Sequence, residues 1–306
     1  MQQIKSGSNT LYHVSAFLII SIWGVTFVST KVLLNNGMSP VEIMLYRFAI
    51  AYLLLCLLEH RRLWANSMKD ELLFIASGIT GGSLYFVTEN IAIDYTLASN
   101  VSIILCTAPI LTALLSRLFI RGEKIKKSLV WGSLVALAGV VLVVFNGSIV
   151  LQVKPIGDLL TLAAALCWAF YTIILKKLDA YPTVFITRKV FFYGLVTLLP
   201  MFHFYPLRWN AELFALPQVW GNLLFLGIIA SFICFIAWNK TVKVLGGIRA
   251  NNYIYLTPLV TLIASAIVLH EHITFIAIGG ALLIICGVYV AEKGFPNFGK
   301  KEVAKA

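Results

Sequence analysis

The chain has 306 residues, of which 60% are hydrophobic and 12% charged, with a mean hydropathy of +0.90. An average soluble domain carries about 25% charged residues, and no soluble fold hides this much apolar surface, so the composition excludes a water-soluble globular protein. The net charge of +11 is spread over short links between apolar stretches, which points to a lipid bilayer and away from a nucleic-acid partner.

A hydrocarbon core needs about 20 predominantly apolar residues per helical span. Ten stretches qualify: Leu11 to Leu34, Val41 to Leu58, Leu72 to Ile93, Ser99 to Phe119 and Ser128 to Phe145, then Leu159 to Leu175, Phe185 to Phe204, Val219 to Lys240, Ile248 to Leu269 and Thr274 to Val290. The expected fold is therefore an all-α, multi-pass membrane protein. The first stretch is too long for the apolar region of a signal peptide and lacks a small-residue cleavage site, so it reads as retained. Lys and Arg accumulate on cytoplasmic loops. With the N-terminus inside, 18 of the 24 basic residues fall on the cytoplasmic side, which predicts that both termini are cytoplasmic.

The stretch from Ile248 to Glu271 has polar residues, then Pro258, then a long apolar run ending in a carboxylate, and Tyr95 to Glu123 is a weaker copy around Pro109. The two prolines lie 149 residues apart, close to half the chain. Sliding one half over the other also matches Trp23 with Trp168, Lys31 with Lys176, Pro40 with Pro182, Asn90 with Asn239, Glu123 with Glu271, Gly132 with Gly280 and Gly139 with Gly287. Each half holds five spans, an odd number, so the second half enters the membrane from the opposite side. Loop charges agree: Arg117 to Lys127 carries five basic residues and its counterpart, His270 to His272, has no Lys or Arg. The expected organisation is a first five-helix repeat over 1–148, an inverted repeat over 149–293 and a short basic tail over 294–306. Inverted repeats are typical of secondary transporters that hold substrate near the midplane and rock between two open states.

The phrase WGVTFVSTKVLLNNGMSPVEIMLYRF, the two proline-centred segments ending in Glu, and the closing ITFIAIGGALLIICGVYV together resemble EamA-type members of the drug/metabolite transporter superfamily over residues 11–292. The resemblance implies ten helices around a central cavity, lined mainly by spans 1 to 4 and 6 to 9 with spans 5 and 10 peripheral. It also implies a multi-pass protein of the inner (plasma) membrane. Two features depart from the family pattern: Gly122 and Glu123 become His270 and Glu271 in the second half, and Glu89 is an unusual carboxylate.

Several residues on the cavity spans could carry the chemistry. Trp23, Tyr85, Trp168, Tyr171, Phe235, Trp238, Tyr253 and Tyr255 supply rings, and Trp168 with Tyr171 and Phe235 with Trp238 stand at helical spacing. Such rings suit flat, partly apolar ligands and cations, or serve as interfacial belts and packing. Arg47 and Glu89 are ionisable groups inside spans, which are costly in lipid and mark functional candidates. They read as a gate, with Glu89 meeting a substrate ammonium or exchanging a proton, or as a structural ion pair. Asn90 and Asn239 offer hydrogen bonds to a ligand or between helices. Pro109 and Pro258 read as symmetric hinges or as static bends. Lys31, Arg117, Arg188 and Lys189 read as snorkelling anchors near helix ends, and Glu123 and Glu271 as helix-starting carboxylates. Gly132 with Gly139 and Gly280 with Gly287 permit close helix approach, within one subunit or at a dimer interface.

The five cysteines sit in apolar spans without CxxC spacing, and no HExxH, paired intramembrane aspartates or Walker-type loop occurs, so no cofactor or metal site is expected. An intramembrane enzyme and an ATP-driven pump are both disfavoured. The expected function is a secondary active exporter of small metabolites such as aromatic amino acids, working as a monomer or dimer. The alternative within transport is an importer or exchanger of nucleosides or organic acids.

Overall fold

The structure is a computed structural model that describes residues 6–60, 63–95, 98–120, 122, 125–145, 155–207, 211–269 and 274–294. Among the described residues every regular element is helical. The first half contains α1 (Ser6–Asn35), α2 (Pro40–Leu58), α3 (Met68–Gly78), α4 (Leu84–Tyr95), α5 (Ala98–Leu105), α6 (Ala108–Phe119) and α7 (Lys127–Phe145). The second contains α8 (Pro155–Lys177), α9 (Thr183–Leu198), α10 (Ala211–Ala215), α11 (Pro217–Leu224), α12 (Cys234–Leu245), α13 (Gly247–Asn252), α14 (Thr257–Leu269) and α15 (Phe275–Lys293). Among the described residues, six continuous helical stretches are long and apolar enough to cross a membrane: Thr10–Asn35, Pro40–Leu58, Met68–Tyr95, Pro155–Lys177, Thr183–His203 and Pro217–Leu245. Leu57, Leu118 and Phe275 on the outside are largely exposed, whereas Asn90, Thr112, Ser231 and Asn251 inside are buried. That distribution is the one a lipid solvent selects.

Proline sets where many helices begin. Pro40, Pro155 and Pro217 open α2, α8 and α11, and Pro182 caps α9; in the first turn the missing N–H removes no intrahelical bond. Ser39 completes the start of α2 with a capping box, its hydroxyl accepting from the Glu42 N–H at 3.2 Å while Glu42 Oε2 accepts from the Ser39 N–H at 2.8 Å.

Two long spans widen in the middle into π-helical turns, Ile79–Ser83 between α3 and α4 and Phe225–Ile233 between α11 and α12. In the first, Gly82 leaves helical geometry (φ −125°, ψ −106°). Gly81 lets this turn lie on the Tyr171 ring, because a Cβ there would stand 2.3 Å from Tyr171 Cδ2. Two further spans are broken, and each restarts at a proline: α5 ends at Leu105 and α6 begins at Ala108 just before Pro109, while α13 passes through a 3₁₀ turn, Tyr253–Leu256, into α14 just before Pro258. The two breaks face each other, with Cys106 Sγ 3.7 Å from the Ile254 carbonyl.

The glycine pairs join α7 to α15 within one chain. A Cβ on Gly132 would lie 2.6 Å from the Gly287 carbonyl oxygen, and one on Gly139 would lie 2.6 Å from that of Gly280, so the two backbones touch directly.

The anchoring role expected for Arg188 and Lys189 is corrected. Both are buried (4% and 3% exposed) inside α9 rather than reaching for an interface. The segment ahead of α3 roofs this end of α9: Lys189 pairs with Glu71 and donates to the Leu63 carbonyl at 3.1 Å, and Arg188 donates to the Glu59 carbonyl. Tyr193 also donates to Glu71, which accepts the Ala65 N–H at 2.8 Å. Lys31 is likewise engaged, donating to the Ile93 carbonyl at 3.1 Å. Glu123, Glu271, His270 and His272 lie outside the described residues.

Candidate functional site

Between the two helix breaks lies a cavity of about 550 Å³, counting the space that opens toward solvent. Leu105 and Ala108 border it from the first break and Ile254 and Thr257 from the second, with α1, α2, α4, α8 and α12 supplying the rest.

One wall is an aromatic cluster. Trp23 meets Trp168 edge-on at 5.4 Å between centroids and Phe235 at 5.4 Å, and Tyr85 lies 5.2 Å from Trp168. Trp238, fully buried behind them, packs on Trp23 at 5.1 Å and on Trp168 at 5.9 Å. Aromatic pairs at such separations add to stability beyond simple area burial.

The charged pair of the sequence reading lines the same cavity. Arg47 and Glu89 are 2% and 7% exposed. Arg47 donates from Nε to Ser231 Oγ at 3.0 Å and spreads its guanidinium over the Phe86 ring at 4.3 Å; Glu89 accepts from the Tyr85 hydroxyl at 2.9 Å. Among the described residues the ion pairs are Lys189–Glu71 and Lys243–Asp179, so Arg47 and Glu89 share the cavity without direct ion contact. Each keeps hydrogen-bonding capacity: a guanidinium has five N–H donors and a carboxylate can accept about four bonds. The π-helical turn at Phe225–Ile233 has a part here, since it provides Ser231 for Arg47 and the Ala230 carbonyl for Trp23 Nε1 at 2.9 Å. Such turns recur at functional sites because they displace helical groups from their usual positions.

The other sequence candidates separate into distinct places. Trp23, Tyr85, Glu89, Trp168 and Phe235 line the cavity, as does Arg47. Tyr171 and Asn239 stand behind it in a buried chain, Tyr171 hydroxyl to Asn239 Oδ1 at 2.7 Å and Asn239 Nδ2 to Thr187 Oγ1 at 2.9 Å. Asn90 donates to the Pro40 carbonyl at 3.0 Å, tying α4 to the start of α2. Tyr253 shares a 2.7 Å hydrogen bond with His13 of α1, and Tyr255 is buried away from the cavity wall. Sequence reasoning missed Phe86, Ser231 and Asn251; Phe86 had a signal as the neighbour of Tyr85, whereas the other two show themselves only through long-range partners.

Comparison with known proteins places this geometry in a family. The EamA-like transporter family matches twice in succession, over residues 10–145 and 155–292. The chain belongs to that family, and is a multi-pass membrane transporter of the drug/metabolite transporter superfamily. An uncharacterized transporter of Archaeoglobus fulgidus is 30% identical over 92% of this chain and 97% of its own length. A probable amino-acid metabolite efflux pump of Escherichia coli K12 is 24% identical over 90% and 93%. A solved crystal structure superposes with a TM-score of 0.72 at 19% identity, over 93% of this chain and 98% of the other, which shows the shared fold.

Proposed function

We propose that the chain is a secondary active transporter that exports small zwitterionic metabolites, aromatic amino acids foremost, across the inner (plasma) membrane. It does so as ten spans in two inverted repeats, 1–148 and 149–293, with both termini cytoplasmic and the two halves alternating access to the cavity. The observation that carries this reading is that Arg47 and Glu89 occupy one aromatic-walled cavity with no ion pair within 4 Å between them. A guanidinium offers paired donors to a carboxylate, a carboxylate accepts from an ammonium, and the rings receive an apolar or aromatic side chain. The two protein charges also balance a ligand of zero net charge, which limits the penalty of burying ions in lipid. The name of the Escherichia coli relative supports the substrate class. The helix breaks at Pro109 and Pro258 border the cavity on both repeats, and in this reading they are the paired hinges.

Ligand-induced thermal stabilisation tests the site directly, because a ligand that binds only the folded state adds RT ln(1 + [L]/Kd), about 2.7 kcal/mol at 100 Kd. Tryptophan and phenylalanine are expected to raise the melting temperature of the purified protein. Trp168→Ala is expected to abolish the shift, Arg47→Met to abolish the preference for phenylalanine over phenethylamine, and Glu89→Gln the preference over phenylpropionate. Stabilisation by nucleosides alone, or by non-aromatic acids alone, would replace the substrate assignment while leaving the transporter family untouched.

A further inference from the structure

We propose that Asn251 is the latch that closes the route between the central cavity and a second, basic vestibule on the side predicted to be cytoplasmic; the role of the latch in transport rests on the reading above. The vestibule encloses about 990 Å³, including its open mouth, and is bordered by Ser116, Lys126, Thr172, Lys176, Gly247 and Arg249. Three helical segments run from one space to the other, and each shows the same order at steps of about one turn, roughly 6 Å for four residues. Along α6, Ala108 borders the cavity and Ser116 the vestibule, with Thr112 between them. Along α8, Trp168 borders the cavity and Lys176 the vestibule, with Thr172 between them at the vestibule's inner wall. Along the broken span, Ile254 borders the cavity and Gly247 the vestibule, with Asn251 between them and its neighbour Asn252 also on the vestibule wall.

Those three middle residues meet in one hydrogen-bonded layer. Asn251 is fully buried; its Oδ1 accepts from Trp168 Nε1 at 2.8 Å, and its Nδ2 donates to Thr112 Oγ1 at 3.2 Å and Thr172 Oγ1 at 3.1 Å. One amide thereby fastens α13 to α6 of the first half and α8 of the second. Trp168, bonded to Asn251, borders the cavity and Thr172, bonded to the same amide, borders the vestibule, so the layer stands between the two spaces. The fit beside it is close: a Cβ on Gly247 would stand 2.5 Å from Thr172 Cγ2, so α13 seats against α8 only because Gly247 has no side chain. α13 is also mounted to move as a short unit. Gly246 precedes it at φ +86°, a conformation suited to glycine, and the 3₁₀ turn at Tyr253–Leu256 follows it. The same indole that faces the cavity holds the latch, so a ligand that turns Trp168 withdraws the Nε1 donor from Asn251. Asn251 is thus a positioning residue for Trp168, and through it the site and the inner closure are coupled.

The test measures passage without needing a ligand. A thiol is placed in the cavity as Ala108→Cys, and its reaction with a charged, membrane-impermeant methanethiosulfonate is timed from each face of sealed vesicles. Protein without the introduced thiol serves as background. Adding Asn251→Ala is expected to speed labelling from the vestibule face by about tenfold or more, the scale set by loss of several buried hydrogen bonds. Thr112→Val with Thr172→Val removes both side-chain acceptors at nearly constant volume and is expected to act in the same direction. This double variant keeps the test usable if Asn251→Ala does not fold. Unchanged labelling in variants whose melting temperature matches the parent overturns the latch, as does acceleration confined to the opposite face. Failure of the substrate reading would appear separately, as missing ligand stabilisation with the labelling result intact.

Discussion

Lys189→Met is expected to destabilise the protein by about 3–5 kcal/mol, the range for removing one partner of a buried ion pair. The residue lies in α9 with its ammonium against Glu71, and both side chains are nearly excluded from solvent, at 4% and 9% exposure. Without the ammonium, Glu71 keeps the Tyr193 hydroxyl and the Ala65 N–H, which satisfy hydrogen bonds but leave a net charge buried. The measurement is a melting curve of purified protein, compared with Glu71→Gln and with the double variant. Because the double variant removes both charges, it is expected to recover most of the loss. A single variant that melts with the parent would mean that water reaches Glu71 and that the pair contributes little.

Gly287→Leu is expected to separate α7 from α15 and to lower stability by about 3 kcal/mol or more, at or above the usual upper range for overpacking. The reason is what the new side chain would meet: Ala136 N at 2.4 Å and the Gly132 carbonyl oxygen at 2.6 Å, both backbone atoms that no rotamer change can move aside. Gly279→Leu, on the same helix, is the matched control, since nothing lies within 4 Å of a Cβ there; its effect should stay within about 0.5 kcal/mol. Equal losses in the two variants would assign the effect to helix α15 itself rather than to its contact with α7.

The apolar stretches and the duplication were legible because each leaves a linear signal: length, spacing, or a matched residue half a chain away. The spans containing Pro109 and Pro258 read as continuous helices, yet each is broken just before its proline. Proline suits a helical first turn as well as a kink, and sequence does not distinguish the two. Arg188 and Lys189 looked like anchors because they stand near the start of a span. Their partners Glu59 and Glu71 lie more than a hundred residues away, and nothing local foretells the roof that the segment ahead of α3 builds over α9. Asn90 and Asn239, matched by repeat position, are both buried but in different surroundings: one holds a helix start and the other a tyrosine. Asn251 escaped notice because Ala250-Asn251-Asn252 reads as a polar approach to an apolar run. Only the tertiary meeting of α6, α8 and α13 gives that amide its three partners.

The seam between α7 and α15 has the form of an isologous interface, in which the same patch appears on both sides and each contact occurs twice. Gly132 sits on Gly287 as Gly139 sits on Gly280, and going up one helix is going down the other. Such self-complementarity is the mark of two identical subunits around a twofold axis, here written into a single polypeptide. A half-length chain bearing either glycine pair would therefore carry both sides of its own dimer contact, provided that two copies could insert in opposite orientations.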